Sequence, residues 1–311
     1  MKRTLLLLIP LILMLTACTD IRRRLSPDLL AADAGAVWHF AAHTSQDDRI
    51  ITADTPVPLL FPDALQNAAG ADISAGHLSV LAVSGNPCAF LTDALQSGLL
   101  APTCAVLSVP ERACSMLQNG TLPDAAVLRT AAETGQLPLR TADTVTGDLW
   151  STAGITAIPY TDGSRLTLML WDTERSYGCL SEGACRGLAL LGRHRRQFAF
   201  AAGETACNVT QTRLHLSAAE SDGRLHITVS GTVHIAPACP EAEAVLHNML
   251  LAALEETASR CGADLLFLHE TALRGGTAQS KISSRTEWQE MLKNAAFSVQ
   301  ISALPQAACA S

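Results

Sequence analysis

Leu15-Thr16-Ala17-Cys18 places a thiol directly after small residues at the end of an apolar run. Ahead of it, Lys2 and Arg3 open the chain and the stretch Leu5 to Leu15 is greasy. A charged start, an apolar middle and a small-residue end make a secretory signal, and a cysteine closing it makes a lipobox. The expected chemistry is cleavage between Ala17 and Cys18, with lipid carried on Cys18. Length argues against a spanning helix: at ~1.5 Å per residue the run covers about 16 Å, against a hydrocarbon core of about 30 Å. Pro10 weakens a spanning helix further. One acyl chain holds a protein only marginally, whereas the two or three of a bacterial lipoprotein anchor it stably.

The other arrangements that resemble chemistry each fail at a named residue. His269-Glu270-Thr271-Ala272-Leu273 begins like the zinc-protease H-E-x-x-H, but Leu273 stands where the second ligand belongs. Ser84, in Ala82-Val83-Ser84-Gly85-Asn86, lies at the end of an apolar run without the paired glycines of a nucleophile elbow. No phosphate-binding glycine loop is present. The chain therefore reads as a non-enzyme that holds no metal and no cofactor besides the lipid on Cys18. Ten cysteines become nine once Cys18 is lipidated, and Cys179 and Cys185 are the pair closest in sequence. An exported chain can form disulfides.

Composition narrows the partners. The chain has 22 basic and 29 acidic residues; losing Lys2 and Arg3 with the signal leaves 20 against 29, a net charge of −9. Such a chain is a poor nucleic-acid binder. Two local basic groups stand out: Arg22-Arg23-Arg24 beside the anchor, positioned for anionic head groups, and Arg193-His194-Arg195-Arg196. Arg193, Arg195 and Arg196 are the candidate contact with an acidic partner surface or lipid.

The elements that must position these residues alternate along the chain. Ser26-Pro27 predicts a short helix near Asp28 to Ala32, and strands are expected at Ala36 to Ala42 and Arg49 to Ala53. Leu78 to Val83, a helix over Cys88 to Gln96, and Cys104 to Val109 make a βαβ unit with a parallel strand pair. A helix is expected over Asp124 to Thr134, and the polar stretch Leu137 to Asp148 marks a boundary near Trp150. Strands at Ile155 to Pro159 and Leu166 to Trp171 follow. Gln211 to Ala218 and Arg224 to Ile235 form a hairpin turned at Glu220-Ser221-Asp222-Gly223. Pro240 opens the strongest helix, closed by Gly262; then come a strand at Asp264 to Leu268, a helix from Ser284 and a last strand at Phe297 to Ala303. The sum is mixed α/β (α+β), about three small domains behind the cleaved signal. Residues 1–17 are the signal and 18–149 an N-terminal α/β domain. Residues 150–308 are a C-terminal region with a middle part, 150–205, and antiparallel strands with the long helix, 206–308.

Four stretches together resemble the Ger(x)C family, the lipoprotein C subunits of spore germinant receptors. They are Cys18 to Arg23; Gly76-His77-Leu78-Ser79-Val80-Leu81 with the helix running to Gly98-Leu99-Leu100; Trp171 with Cys179 to Leu188; and Leu254-Glu255-Glu256-Thr257, Ala263-Asp264-Leu265-Leu266, Thr286-Glu287-Trp288 and Val299-Gln300-Ile301. Thr19 replaces the tryptophan usual in that family, and Arg23-Arg24 stands for its Arg-Glu. The resemblance implies a non-enzymatic α/β protein held by lipid on the outer leaflet of the spore inner membrane. It also implies two membrane-embedded partners, an A-type subunit and a permease-like B-type subunit. A solute-binding lipoprotein of a transporter is the alternative, and needs a deep cleft between lobes. A secreted hydrolase needs a histidine and a carboxylate beside Ser84.

Overall fold

The computed structural model describes residues 24–110, 112–152, 154–192, 197–274 and 284–306. Its centre is an eight-stranded mixed sheet built from the most apolar runs in the chain. The first strands are β1 (Arg24–Leu25), β2 (Leu29–Asp33), β3 (Trp38–Thr44), β4 (Arg49–Thr55), β5 (Asp72–Ile73), β6 (Val80–Ser84) and β7 (Ala105–Val109). They are followed by β8 (Thr156–Thr161), β9 (Leu166–Trp171) and β10 (Ser176–Cys179). The large sheet has the order β10-β9-β8-β7-β6-β2-β3-β4, and β1 with β5 forms a separate two-stranded ribbon. β2, β6 and β7 run parallel, as the βαβ pattern requires. Val80, Leu81, Ala82 and Val83 are all buried, because a parallel strand is covered on both faces and needs a continuous apolar run.

Helices cover both faces. On one side lie α1 (Phe61–Ala69), α2 (Cys88–Gln96) and, later in the chain, the helix Ala142–Trp150; Phe40, Phe61, Leu65, Leu91 and Leu149 share its core. On the other lie α3 (Ala113–Gln118) and α4 (Ala125–Glu133), packed around Leu107, Leu117 and Leu128. Numbering continues with α5 for Ala142–Trp150 and α6 for Glu182–Leu191. The division expected at 149/150 falls at the last residue of α5, and β8, β9 and β10 beyond it complete the same sheet as β2, β3, β4, β6 and β7.

A four-stranded sheet follows, β11 (Ala199–Ala202), β12 (Thr205–Ser221), β13 (Arg224–Ala236) and β14 (Ala296–Pro305), in chain order. Asp222 and Gly223 both have positive φ, +55° and +76°, as a two-residue hairpin turn requires. β13 and β14 are parallel rather than antiparallel. The crossover joining them holds α7 (Ala242–Leu254), a π-helical turn (Glu255–Ser259), α8 (Leu268–Arg274) and α9 (Arg285–Lys293). These helices bury one face of the sheet around Leu246, Leu250, Trp288 and Leu292.

Two local expectations change. The Ser26-Pro27 segment leads into strand β2, not a helix, because Leu29 to Ala32 are taken up between β3 and β6. The strand expected at Asp264 to Leu268 is a turn into α8, because the Asp264 carboxylate accepts the backbone N–H groups of Leu268 and His269, at 2.6 and 2.8 Å, and caps a helix there.

Candidate functional site

Where the two sheets meet, two of the stretches that carry the sequence resemblance come together, Cys179 to Leu188 and the segment from Leu254 to Leu266. α6 and α7 cross at Gly187. A Cβ at that position would lie 2.0 Å from the Met249 carbonyl oxygen and 2.8 Å from the Ala253 Cβ, so only glycine permits this approach. Around the crossing, Leu168, Leu170, Leu180, Leu188, Cys261 and Ala263 form one buried cluster drawn from both sheets' elements.

Polar contacts fix the seam's geometry. Ser181 caps α6 by accepting the Ala184 N–H at 3.1 Å. Its own N–H donates to Glu256 Oε2 at 2.8 Å, and its hydroxyl donates to Glu256 Oε1. Glu256 sits in the π-helical turn that continues α7, so the wide turn aims a carboxylate at the first turn of α6, where negative charge is favoured. One turn further, Arg260 donates to the carbonyls of Tyr177 and Cys179 on β10. Arg285, opening α9, donates to the Leu149 and Ser151 carbonyls at 3.2 and 2.9 Å, tying the end of α5 to the second sheet's helices.

Behind the seam lies a buried acid. Trp288 is fully buried, and its indole N–H donates to Asp264 Oδ2 at 3.1 Å. Burial pushes the Asp264 carboxyl up, against the opposing effect of its three N–H donors. Burying an indole of roughly 200 Å² at about 25 cal/mol/Å² yields at most about 5 kcal/mol, whereas one hydrogen bond yields about 1. Burial therefore holds α9 in place, and the hydrogen bond sets its register.

Comparison with protein-family profiles and with curated proteins gives no match. Comparison with solved structures does: a crystal structure of the GerBC protein superposes with a TM-score of 0.55 at 12% identity, covering 89% of this chain and 97% of GerBC. This chain has a GerBC-like fold. It is the fold that the resemblance to the Ger(x)C lipoproteins implied, reached here from backbone geometry. Identity that low speaks of architecture alone, so GerBC assigns no individual side chain a role.

The expected site residues divide into three groups. Ala17, Cys18, Arg193, Arg195 and Arg196 lie outside the described residues. Ser84 lies at the end of β6, where its hydroxyl accepts the Ala34 N–H at 3.1 Å. His269 lies in α8, not on a strand, with its ring edge-on to Trp288 at 5.0 Å between centroids. Among the described residues no cluster of three or more His, Cys, Asp or Glu could hold a metal. Cys88, Cys104 and Cys114 are pushed up to about 12 by burial, which makes them inert thiols. Cys185 is engaged by the Thr167 hydroxyl at 3.4 Å, and it and Cys179 are both free thiols.

Among the described residues, clefts open to solvent include two at the second sheet. One, of about 420 Å³, lies between the β12–β13 turn and α9, lined by Arg224, Glu287 and Glu290. The other, of about 450 Å³, lies along β12 beside the end of α6, lined by Gln197, Gln211 and Arg213. Among the described residues no helix is long and apolar enough to cross a membrane. Gly187, Glu256, Asp264 and Trp288 stand in the sequence as motif letters without their contacts, and the small residue at 187 within an apolar run is the available sign of a close helix crossing.

Proposed function

We propose that this chain is the C-type lipoprotein subunit of a spore germinant receptor, required for nutrient-triggered germination. The observation that carries the reading is the GerBC-like fold over 89% of the chain. It is joined by the meeting of two Ger(x)C-like stretches, Cys179 to Leu188 and Leu254 to Leu266, at the α6–α7 seam. In this reading lipid on Cys18 holds the body at the outer leaflet of the spore inner membrane, and the protein works by contact rather than catalysis. Its partners are the A-type and permease-like B-type membrane subunits, and Arg193, Arg195 and Arg196 are offered to an acidic surface of one of them. The seam supports this over a solute-binding lipoprotein. Solute-binding lobes must hinge apart, and Gly187 against the Met249 backbone, with Ser181 bonded to Glu256, ties the two sheets into one body.

Affinity capture from detergent-solubilised spore membranes tests the assembly. The tagged chain is expected to bring down one A-type and one B-type subunit. Capture of an ATP-driven transporter instead, or of neither subunit, contradicts the reading.

A further inference from the structure

Two cysteines distant in sequence meet at one end of the second sheet. Cys207, on β12, sits opposite Phe200 of β11 and is buried. Cys239 lies in the loop between β13 and α7 and is half-buried. The Cys207 Sγ lies 4.0 Å from the Pro237 carbonyl oxygen, in that same loop, and the Cys239 Sγ lies 3.8 Å from the Ala202 carbonyl oxygen, on β11. Burial first, and then the neighbouring Cys239 thiol, by charge and by hydrogen bonding, push the Cys207 thiol up. The loop is also packed on the β11–β12 turn: a Cβ at Gly203 would lie 2.2 Å from Glu241 Oε2. Both thiols are free in this structure.

We propose that Cys207 and Cys239 are a disulfide-forming pair that clamps the loop leading into α7 onto the β11–β12 hairpin. The oxidant is a disulfide, either low-molecular-weight or on a thiol oxidoreductase. The half-buried Cys239 thiolate attacks it, forming a mixed disulfide and releasing one thiol. Cys207 then attacks the Cys239 sulfur and gives up its proton. The second thiol leaves, and two electrons in all pass from the two cysteines to the oxidising disulfide. Cys207, buried beside Cys239, resolves the mixed disulfide before reagent reaches it. The clamp closes the long β12–β13 hairpin, and such a loop constrains the unfolded chain. It bears on the stability of the four-stranded sheet and its helices and is independent of the receptor reading.

The full chain in detergent is incubated with oxidised glutathione, quenched by alkylation under denaturing conditions and mapped by mass spectrometry. A peptide linked through Cys207 and Cys239 is expected, together with a Tm higher by roughly 4–10 °C that falls back on reduction. In Cys239→Ser the link and the Tm rise are both lost, and Cys207 is recovered as the alkylated thiol. The proposal is overturned if Cys239 retains glutathione while Cys207 stays free. It is equally overturned if both stay free, or if either links to Cys179 or Cys185.

Discussion

The indole N–H of Trp288 donates to Asp264 Oδ2, joining the first turn of α9 to the cap of α8 beneath the four-stranded sheet. The same carboxylate accepts the backbone N–H groups of Leu268 and His269, so one acid serves three donors. Asp264→Ala orphans all three and should lower stability by about 3 kcal/mol or more, while Trp288→Phe, which keeps most of the buried area, should lower it by about 1–2. Urea midpoints at constant m-value check both. The acid also gives the protein a pH signature. Its native pKa is raised above 3.8 by burial, so the native state holds the proton more tightly than the unfolded one. Stability from this group is therefore greatest below 3.8 and falls as pH rises through the raised native value. That fall should vanish in Asp264→Ala.

A buried ion pair fastens α5 to the large sheet. Arg140 pairs with Asp148, donates to the Ala157 carbonyl at 3.0 Å and to the Thr156 hydroxyl at 3.2 Å, and Thr156 donates to Asp148 at 2.9 Å. Removing one partner leaves a buried charge, so Asp148→Ala or Arg140→Ala should cost about 3–5 kcal/mol. The double variant Arg140→Met with Asp148→Leu should recover most of that loss in the same denaturation series.

Gly187→Ala tests the seam. The added methyl meets backbone 2.0 Å away on α7, where no rotamer can relieve it. A loss of about 1–3 kcal/mol is expected. Hydrogen exchange should quicken in both α6 and α7.

His43 stands between two carboxylates, with Nδ1 2.9 Å from Asp28 and Nε2 3.1 Å from Asp48. The Asp48 hydrogen bond, with that of Asp28 and against partial burial, raises its pKa above 6.5. The stabilisation is full below 6.5 and is lost as pH rises through the raised value. His43→Gln should flatten stability against pH over that window, read from Tm in a pH series.

Local signals made some of these elements legible. Ser284 does cap α9, accepting the Glu287 N–H at 3.2 Å, and the Asp222-Gly223 turn is where its residue types place it. Leu166 to Trp171 is a strand over those same residues. The misread elements are those decided by contacts that composition does not show. Leu29 to Ala32 is a strand because β3 and β6 flank it, and Asp264 to Leu268 is a turn because the Asp264 carboxylate caps α8 through the Leu268 and His269 N–H groups. α5 was hidden by its polar composition: Thr141 and Thr144 make its capping box, while its apolar positions Val145 and Leu149 face the sheet. For the site, the residue types of the α6–α7 seam were visible one by one. Their meeting depends on a close backbone crossing that carries no local signature beyond one glycine.

Deleting this chain in its host and measuring nutrient-triggered spore germination as loss of optical density tests the proposed receptor role directly. The nutrient response should be lost, the wild-type chain should restore it, and Cys18→Ala, which should take up no labelled palmitate, should restore it poorly or not at all. Normal germination of the deletion strain, with no second C-type chain to replace it, contradicts the account.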